Sequence, residues 1–68
     1  MRVKINRECD TVYFRLTDGD IAASEETEHG FVVDYDGNQK IVGIEILGVS
    51  QFVPVESLSN VNVDYTAM

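Results

Sequence analysis

Hydrophobic and polar residues alternate with period two along the first part of the chain, the spacing that sends successive side chains to opposite faces of a β-strand. Val3 and Ile5 alternate with Arg2, Lys4 and Asn6, and Val12, Phe14 and Leu16 alternate with Thr11, Tyr13, Arg15 and Thr17. The polar run Asn6-Arg7-Glu8-Cys9-Asp10 between them reads as a hairpin connection. Asp18-Gly19 then supplies a tight turn. Residues 21–28 return as a third strand of weak propensity, and their three glutamates suit a sheet edge, where charge discourages pairing with strangers.

The strongest local signal is Phe31-Val32-Val33-Asp34-Tyr35 followed by the turn Asp36-Gly37-Asn38-Gln39 and the run Lys40-Ile41-Val42-Gly43-Ile44-Glu45-Ile46-Leu47. Two β-rich runs around Asp-Gly-Asn predict a hairpin. A loop of two residues (Asp36-Gly37) or of four (Asp36 to Gln39) puts Phe31, Val33 and Tyr35 on one face with Val42, Ile44 and Ile46. A three-residue loop would set Val33 opposite Ile41. Because a slip of one residue reverses every side chain, the even-numbered loop is expected.

After Gly48 the pattern changes. Ser50 caps a predicted short helix within residues 50–58, with Pro54 near its start and Phe52, Val53, Val55 and Leu58 covering part of the sheet. Val61, Val63 and Tyr65 alternate once more, as an added strand or a frayed tail. The expected fold is mainly β with α+β character: an antiparallel β-meander of about five strands with one short C-terminal helix. The whole chain, residues 1–68, forms one small domain.

Composition changes this picture in one respect. A domain of this size buries only about 60% of the surface of its unfolded chain, so a disulfide, a metal or a second subunit has to contribute stability. Cys9 is the single cysteine and His29 the single histidine, which removes the intrachain disulfide and the soft-ligand zinc site. Association remains. Counting faces gives the same answer: with Val12, Phe14, Leu16, Phe31, Val33, Val42, Ile44 and Ile46 on one side of the sheet, Tyr13, Val32, Ile41 and Leu47 are left on the other. A single sheet with one short helix cannot cover both, so a homodimer is expected, joined by sheet faces or by strand edges.

Five Lys and Arg against twelve Asp and Glu give a net charge of -7, opposite to the footprint that phosphate backbones require, so nucleic acid is excluded as a direct partner. Arg2, Lys4, Arg7 and Arg15 leave only Lys40 for the rest, and the acidic remainder would attract a basic protein. No apolar run reaches the roughly eighteen residues of a membrane span, and no basic-then-apolar leader is present; a cytoplasmic protein without membrane contact is expected, and one unpaired thiol fits that compartment.

Candidate chemistry is sparse. Asp34, Asp36 and Asn38 alternate around Gly37 as in a calcium loop, but the bidentate Glu that closes such a loop of about twelve residues is missing, which leaves a hairpin turn. Arg15 and Glu45 fall on the same side of their strands beside Tyr13, either as a structural cross-strand contact or as a functional pocket. Nothing in the spacing brings Cys9 to His29, so no base activates the thiol. Paired carboxylates such as Glu25-Glu26 point to opposite faces of a strand. No phosphate-cradling glycine loop, nucleophile elbow or metal-ligand cluster is present, so no catalytic residue, metal or cofactor is assigned.

The segments Asn6-Arg7-Glu8-Cys9-Asp10-Thr11-Val12-Tyr13-Phe14-Arg15-Leu16, Asp34-Tyr35-Asp36-Gly37 and Val42-Gly43-Ile44-Glu45-Ile46-Leu47 resemble the small bacterial and archaeal family called domain of unknown function 2283, over residues 2–50. The chain has Ile5-Asn6 where that family has a Tyr-Asp pair. The resemblance implies a compact, mostly β domain without established activity, and, from relatives that sit beside small toxin-like proteins, an antitoxin-like partner role. Asp10, Tyr13, Gly43 and Glu45 are the positions that match its motifs. Physically, Gly43 lacks a side chain and lets a neighbour such as Tyr13 lie across the strand, while Asp10 fixes its loop by accepting backbone N–H groups. With Arg15, these are the ligand or interface candidates. The leading expectation is a non-enzymatic, homodimeric protein-interaction module; the alternatives are an antitoxin-like partner of a small basic protein and a small-ligand or enzyme site at a dimer groove.

Overall fold

The computed structural model describes residues 1–67. Five strands form one open sheet: β1 (Arg2–Asn6), β2 (Thr11–Arg15), β3 (Ala23–Glu26), β4 (Phe31–Tyr35) and β5 (Ile41–Leu47). Their order is β1-β2-β5-β4-β3 with every neighbouring pair antiparallel. This corrects the expected meander. The last strand inserts beside β2, so β2 to β5 follow a Greek key read in reverse. The cause is burial: β5 is the longest and most apolar strand, and the centre is where both of its edges are hydrogen-bonded. The weak, charged β3 is left at one edge with all four residues exposed, as its glutamates predict.

The connection between β2 and β3 crosses the end of the sheet without losing hold of it. Leu16 and Thr17 donate their N–H groups to the Val42 carbonyl at 2.7 and 3.3 Å, and Ala22 donates to the Tyr35 carbonyl at 2.8 Å.

The β4–β5 hairpin combines a loop of unexpected length with the expected faces. Asp36 N–H donates to the Lys40 carbonyl, which leaves a three-residue loop, and Gln39 takes the left-handed conformation at φ 64°. That odd loop would reverse the faces, but the register shifts between Asp34 and Tyr35: Tyr35 pairs with Ile41 and Asp34 with Gly43, leaving Val42 as the extra residue of a bulge. Beyond it Val33 lies opposite Ile44 and Phe31 opposite Ile46, the pairing that puts their side chains on one face.

No α-helix follows β5. The predicted helix is replaced by two 3-10 turns, η1 (Val49–Gln51) and η2 (Val55–Ser59). Ser50 does not cap a helix because its N–H and hydroxyl both go to the Asp10 carboxylate, at 3.0 and 2.6 Å. Pro54, extended at ψ 144°, separates the two turns. Among the described residues no helix is long and apolar enough to cross a membrane.

One face of the sheet carries Val3, Ile5, Val12, Phe14, Ile44, Ile46, Phe31 and Val33, from four neighbouring strands. Among the described residues the buried hydrophobic ones are Val12, Val42 and Val49. Phe52 reaches over this face to Phe31, ring centroids 5.5 Å apart, and it remains exposed itself. The opposite face differs from expectation. Tyr13, Val32 and Leu47 do lie there, but among Arg2, Lys4, Arg15, Ser24, Asp34 and Glu45, so that side is polar; Ile41 sits exposed beside the bulge.

Candidate functional site

The polar face is organised around Gly43. Its backbone pairs with Arg15 of β2 on one side and Asp34 of β4 on the other, at the middle of the sheet. A Cβ on Gly43 would collide with the Tyr13 hydroxyl, and would stand 2.7 Å from Tyr13 Cζ and 3.1 Å from the Phe14 carbonyl oxygen. The ring of Tyr13 therefore lies flat across β5 in space that only glycine leaves open.

That path ends on a carboxylate. Tyr13 donates its hydroxyl to Asp34 Oδ2 at 2.8 Å, and Ser24 of β3 donates to Asp34 Oδ1 at 2.6 Å. Asp34 is only 8% exposed, and it is the buried charged residue among those described. A carboxylate removed from water is tolerable when both oxygens accept hydrogen bonds, and here both do. The network ties β2, β4 and β3 together across β5. With both oxygens engaged, the network fixes Tyr13 in place, and Asp34 forms part of the wall of the groove on this face.

The remaining candidates separate. Arg15 donates through Nε to the Thr17 carbonyl at 2.8 Å and through Nη2 to the Gly19 carbonyl at 2.7 Å. Its guanidinium thus anchors the start of the crossing loop, and the expected contact with Glu45 is replaced by backbone partners. Glu45 lies between Tyr13 and Val32 across the strands, and the side-chain hydrogen bonds of this face run to Asp34 or to those carbonyls, not to it. Lys4, Thr11, Tyr13, Arg15, Ile21 and Glu45 line an open groove of about 680 Å³ on this side. Of three groups read as a possible ligand site, Tyr13 and Arg15 are already committed within the fold.

Asp10 works away from this face. At φ 56° it closes the β1–β2 turn, its carbonyl accepts the Val49 N–H at 3.0 Å, and its carboxylate holds Ser50. The turn is thereby clamped to η1. Asn6 accepts the Cys9 N–H at 3.0 Å through Oδ1. Asp36 serves its own turn, Oδ1 accepting from the Asn38 and Lys40 N–H groups at 2.8 and 2.9 Å. Asp34 faces Tyr13 instead, so the two carboxylates do not converge, and among the described residues no cluster suits a metal ion. Cys9 is exposed in the β1–β2 turn, and His29 lies in the β3–β4 turn. Both turns are at one end of the sheet, but their hairpins are separated by β5, about 14 Å at three strand spacings.

Sequence reading weighed Asp34 only within a calcium-like turn and missed its place in this network. Its signal was a carboxylate inside the apolar run Phe31-Val32-Val33-Asp34-Tyr35, which a strand can bury only if partners await it.

The model of one protein family, Protein of unknown function (DUF2283), matches residues 2–50. The chain belongs to that family. The DUF2283 segment contains all five strands and ends at Ser50, the residue that Asp10 clamps, so sheet, polar network and clamp lie inside it. Phe52, Val53 and Leu58 and the segment that follows them lie outside. No curated protein and no solved structure gives a significant match to the chain.

Proposed function

We propose that this DUF2283 chain is a homodimeric protein-interaction module without enzymatic activity of its own, whose subunits meet through the apolar sheet face. The observation that carries the reading is the cover this face lacks. Phe14, Val33, Ile44, Ile46 and Phe31 are only half-buried, and Val3, Phe52 and Val55 are exposed. A second copy supplies an apolar surface of matching extent at no cost in new sequence, and a two-fold axis is the simplest closed arrangement.

The test is sedimentation velocity with thermal unfolding at several protein concentrations. A dimer is expected at micromolar concentration, with a melting temperature that rises with concentration. Ile44→Lys, at the centre of the apolar face, is expected to give monomers; Phe52→Ser at its rim weakens association with less risk to the fold, and circular dichroism reports whether the strands persist. A monomeric wild-type chain at 100 μM, stable and indifferent to concentration, refutes the proposal.

A second reading, a basic protein partner of antitoxin type, draws on the exposed acidic edge strand β3 with Glu25 and Glu26. Co-purification of a small basic protein that is lost on Glu25→Lys/Glu26→Lys supports it; unchanged capture by that variant rejects it.

A further inference from the structure

Beyond η2 the chain has strand-forming sequence and no strand. Residues 60–67 carry no regular structure, and none of their N–H groups donates to the backbone of another described residue. Asn60 is already extended at φ -143°, ψ 108°. Val61, Val63 and Tyr65 alternate with Asn62, Asp64 and Thr66, the period of a strand with one apolar side. Their exposure rises outward, 55%, 87% and 91%, so the segment leaves the surface of its own subunit instead of returning along it.

The sheet has two edges that such an arm can join. At β3 the side chains are exposed glutamates, and Glu25 shares the apolar face with Val33, so the valines would lie against a carboxylate and Asp64 would share the other face with Glu26, a like charge. At β1, Val3 and Ile5 continue the apolar face and Arg2 and Lys4 the polar one. An antiparallel arm with Val61 opposite Ile5 and Val63 opposite Val3 brings Asn62 beside Lys4 and Asp64 beside Arg2. Apolar pairs then fall on the apolar face, and opposite charges on the polar face, in a single register.

Within its own subunit the arm is not paired with β1. Where Phe52 meets Phe31 the chain is above β4, with β5 and β2 between it and its own β1, and Val63 and Tyr65 are almost fully exposed.

We propose that residues 60–67 are an exchanged strand, which adds antiparallel to the β1 edge of a second copy. This rests on the dimer reading and deepens it: the arm extends the shared apolar face by one strand and covers an open edge.

The test traps the register in the full-length chain. In a Cys9→Ser background, Val3→Cys is placed on one chain and Val63→Cys on another of different mass, and the mixture is oxidised; opposite residues of neighbouring strands lie within disulfide reach. A covalent link between light and heavy chains is expected. Asp64→Lys should raise the dimer dissociation constant about tenfold by placing lysine against Arg2, and Arg2→Glu in the partner should restore it. If the wild type is dimeric but no interchain link forms, or Asp64→Lys leaves association unchanged, the arm is refuted and the dimer stands. A Val3→Cys/Val63→Cys double variant that links only within one chain, while the two single variants never link to each other, refutes the exchange. A wild type that sediments as a monomer removes both proposals together.

Discussion

The two faces of the sheet solve the same problem, a layer with little to cover it, by opposite means. On the polar face the costliest groups find partners inside the subunit: the buried Asp34 takes Tyr13 and Ser24, and Arg15 takes the Thr17 and Gly19 carbonyls. On the apolar face the groups are individually cheap to expose and collectively expensive, and they remain half-open under two 3-10 turns. Hydrogen bonds are directional and are satisfied by exact neighbours, so they close locally; apolar area is non-directional and is closed by any surface of sufficient extent, including another copy. The polar face therefore holds the subunit's shape, and the apolar face is the surface that the proposed association uses.

If that division is right, damage to the polar face lowers stability by the same amount at every protein concentration, whereas damage to the apolar face abolishes the concentration dependence itself. The largest effect on the polar side is expected from Gly43→Ala. The new methyl group overlaps the Tyr13 hydroxyl and presses on the Phe14 carbonyl, so Tyr13 must leave and Asp34 loses a donor. Overpacking and an unsatisfied buried carboxylate together cost about 3 kcal/mol, a large part of the stability of a small domain. Chemical denaturation measures it. In a Tyr13→Ala background the same substitution should cost much less, since the ring is gone and only the tight approach to the Phe14 carbonyl remains; an equal cost in both backgrounds would separate Gly43 from Tyr13.

Tyr13→Phe comes next. It keeps the ring over Gly43 and removes only the proton that Asp34 Oδ2 accepts, for an expected loss of about 1–2 kcal/mol. Ser24→Ala opens Oδ1 at the exposed edge strand, where water can replace the hydroxyl, so its loss should be smaller, about 0.5 kcal/mol. The reverse ranking would mean that the network is held from the edge and not from across β5.

How much of this was legible follows from which interactions are local. The strands, the charged edge at β3 and the reach of Tyr13 across Gly43 were readable, because alternation, charge and the absence of a side chain are written residue by residue. Strand order was not, since the preference of β5 for the centre over the edge depends on all five strands at once. Arg15 and Glu45 do share a face, as period two requires, but the guanidinium found carbonyls in a loop whose path the sequence does not reveal. The helix failed for a similar reason: Ser50 has the chemistry of a cap, and Asp10, forty residues earlier, uses it first.

The β4–β5 turn gives the smallest and most discriminating prediction, because it belongs to neither face. Gln39 occupies a left-handed conformation at φ 64°, which costs a residue with a Cβ about 1 kcal/mol or more. Gln39→Gly removes that cost and adds back some unfolded-state entropy, for a net gain of about 0.5 kcal/mol. Hairpin faces should not change, since the bulge at Val42, not the loop, sets which side chains meet across β4 and β5. The melting temperature should rise equally at all protein concentrations. A gain that appears only at high concentration would put this turn inside the interface and erase the boundary between the self-sufficient face and the shared one.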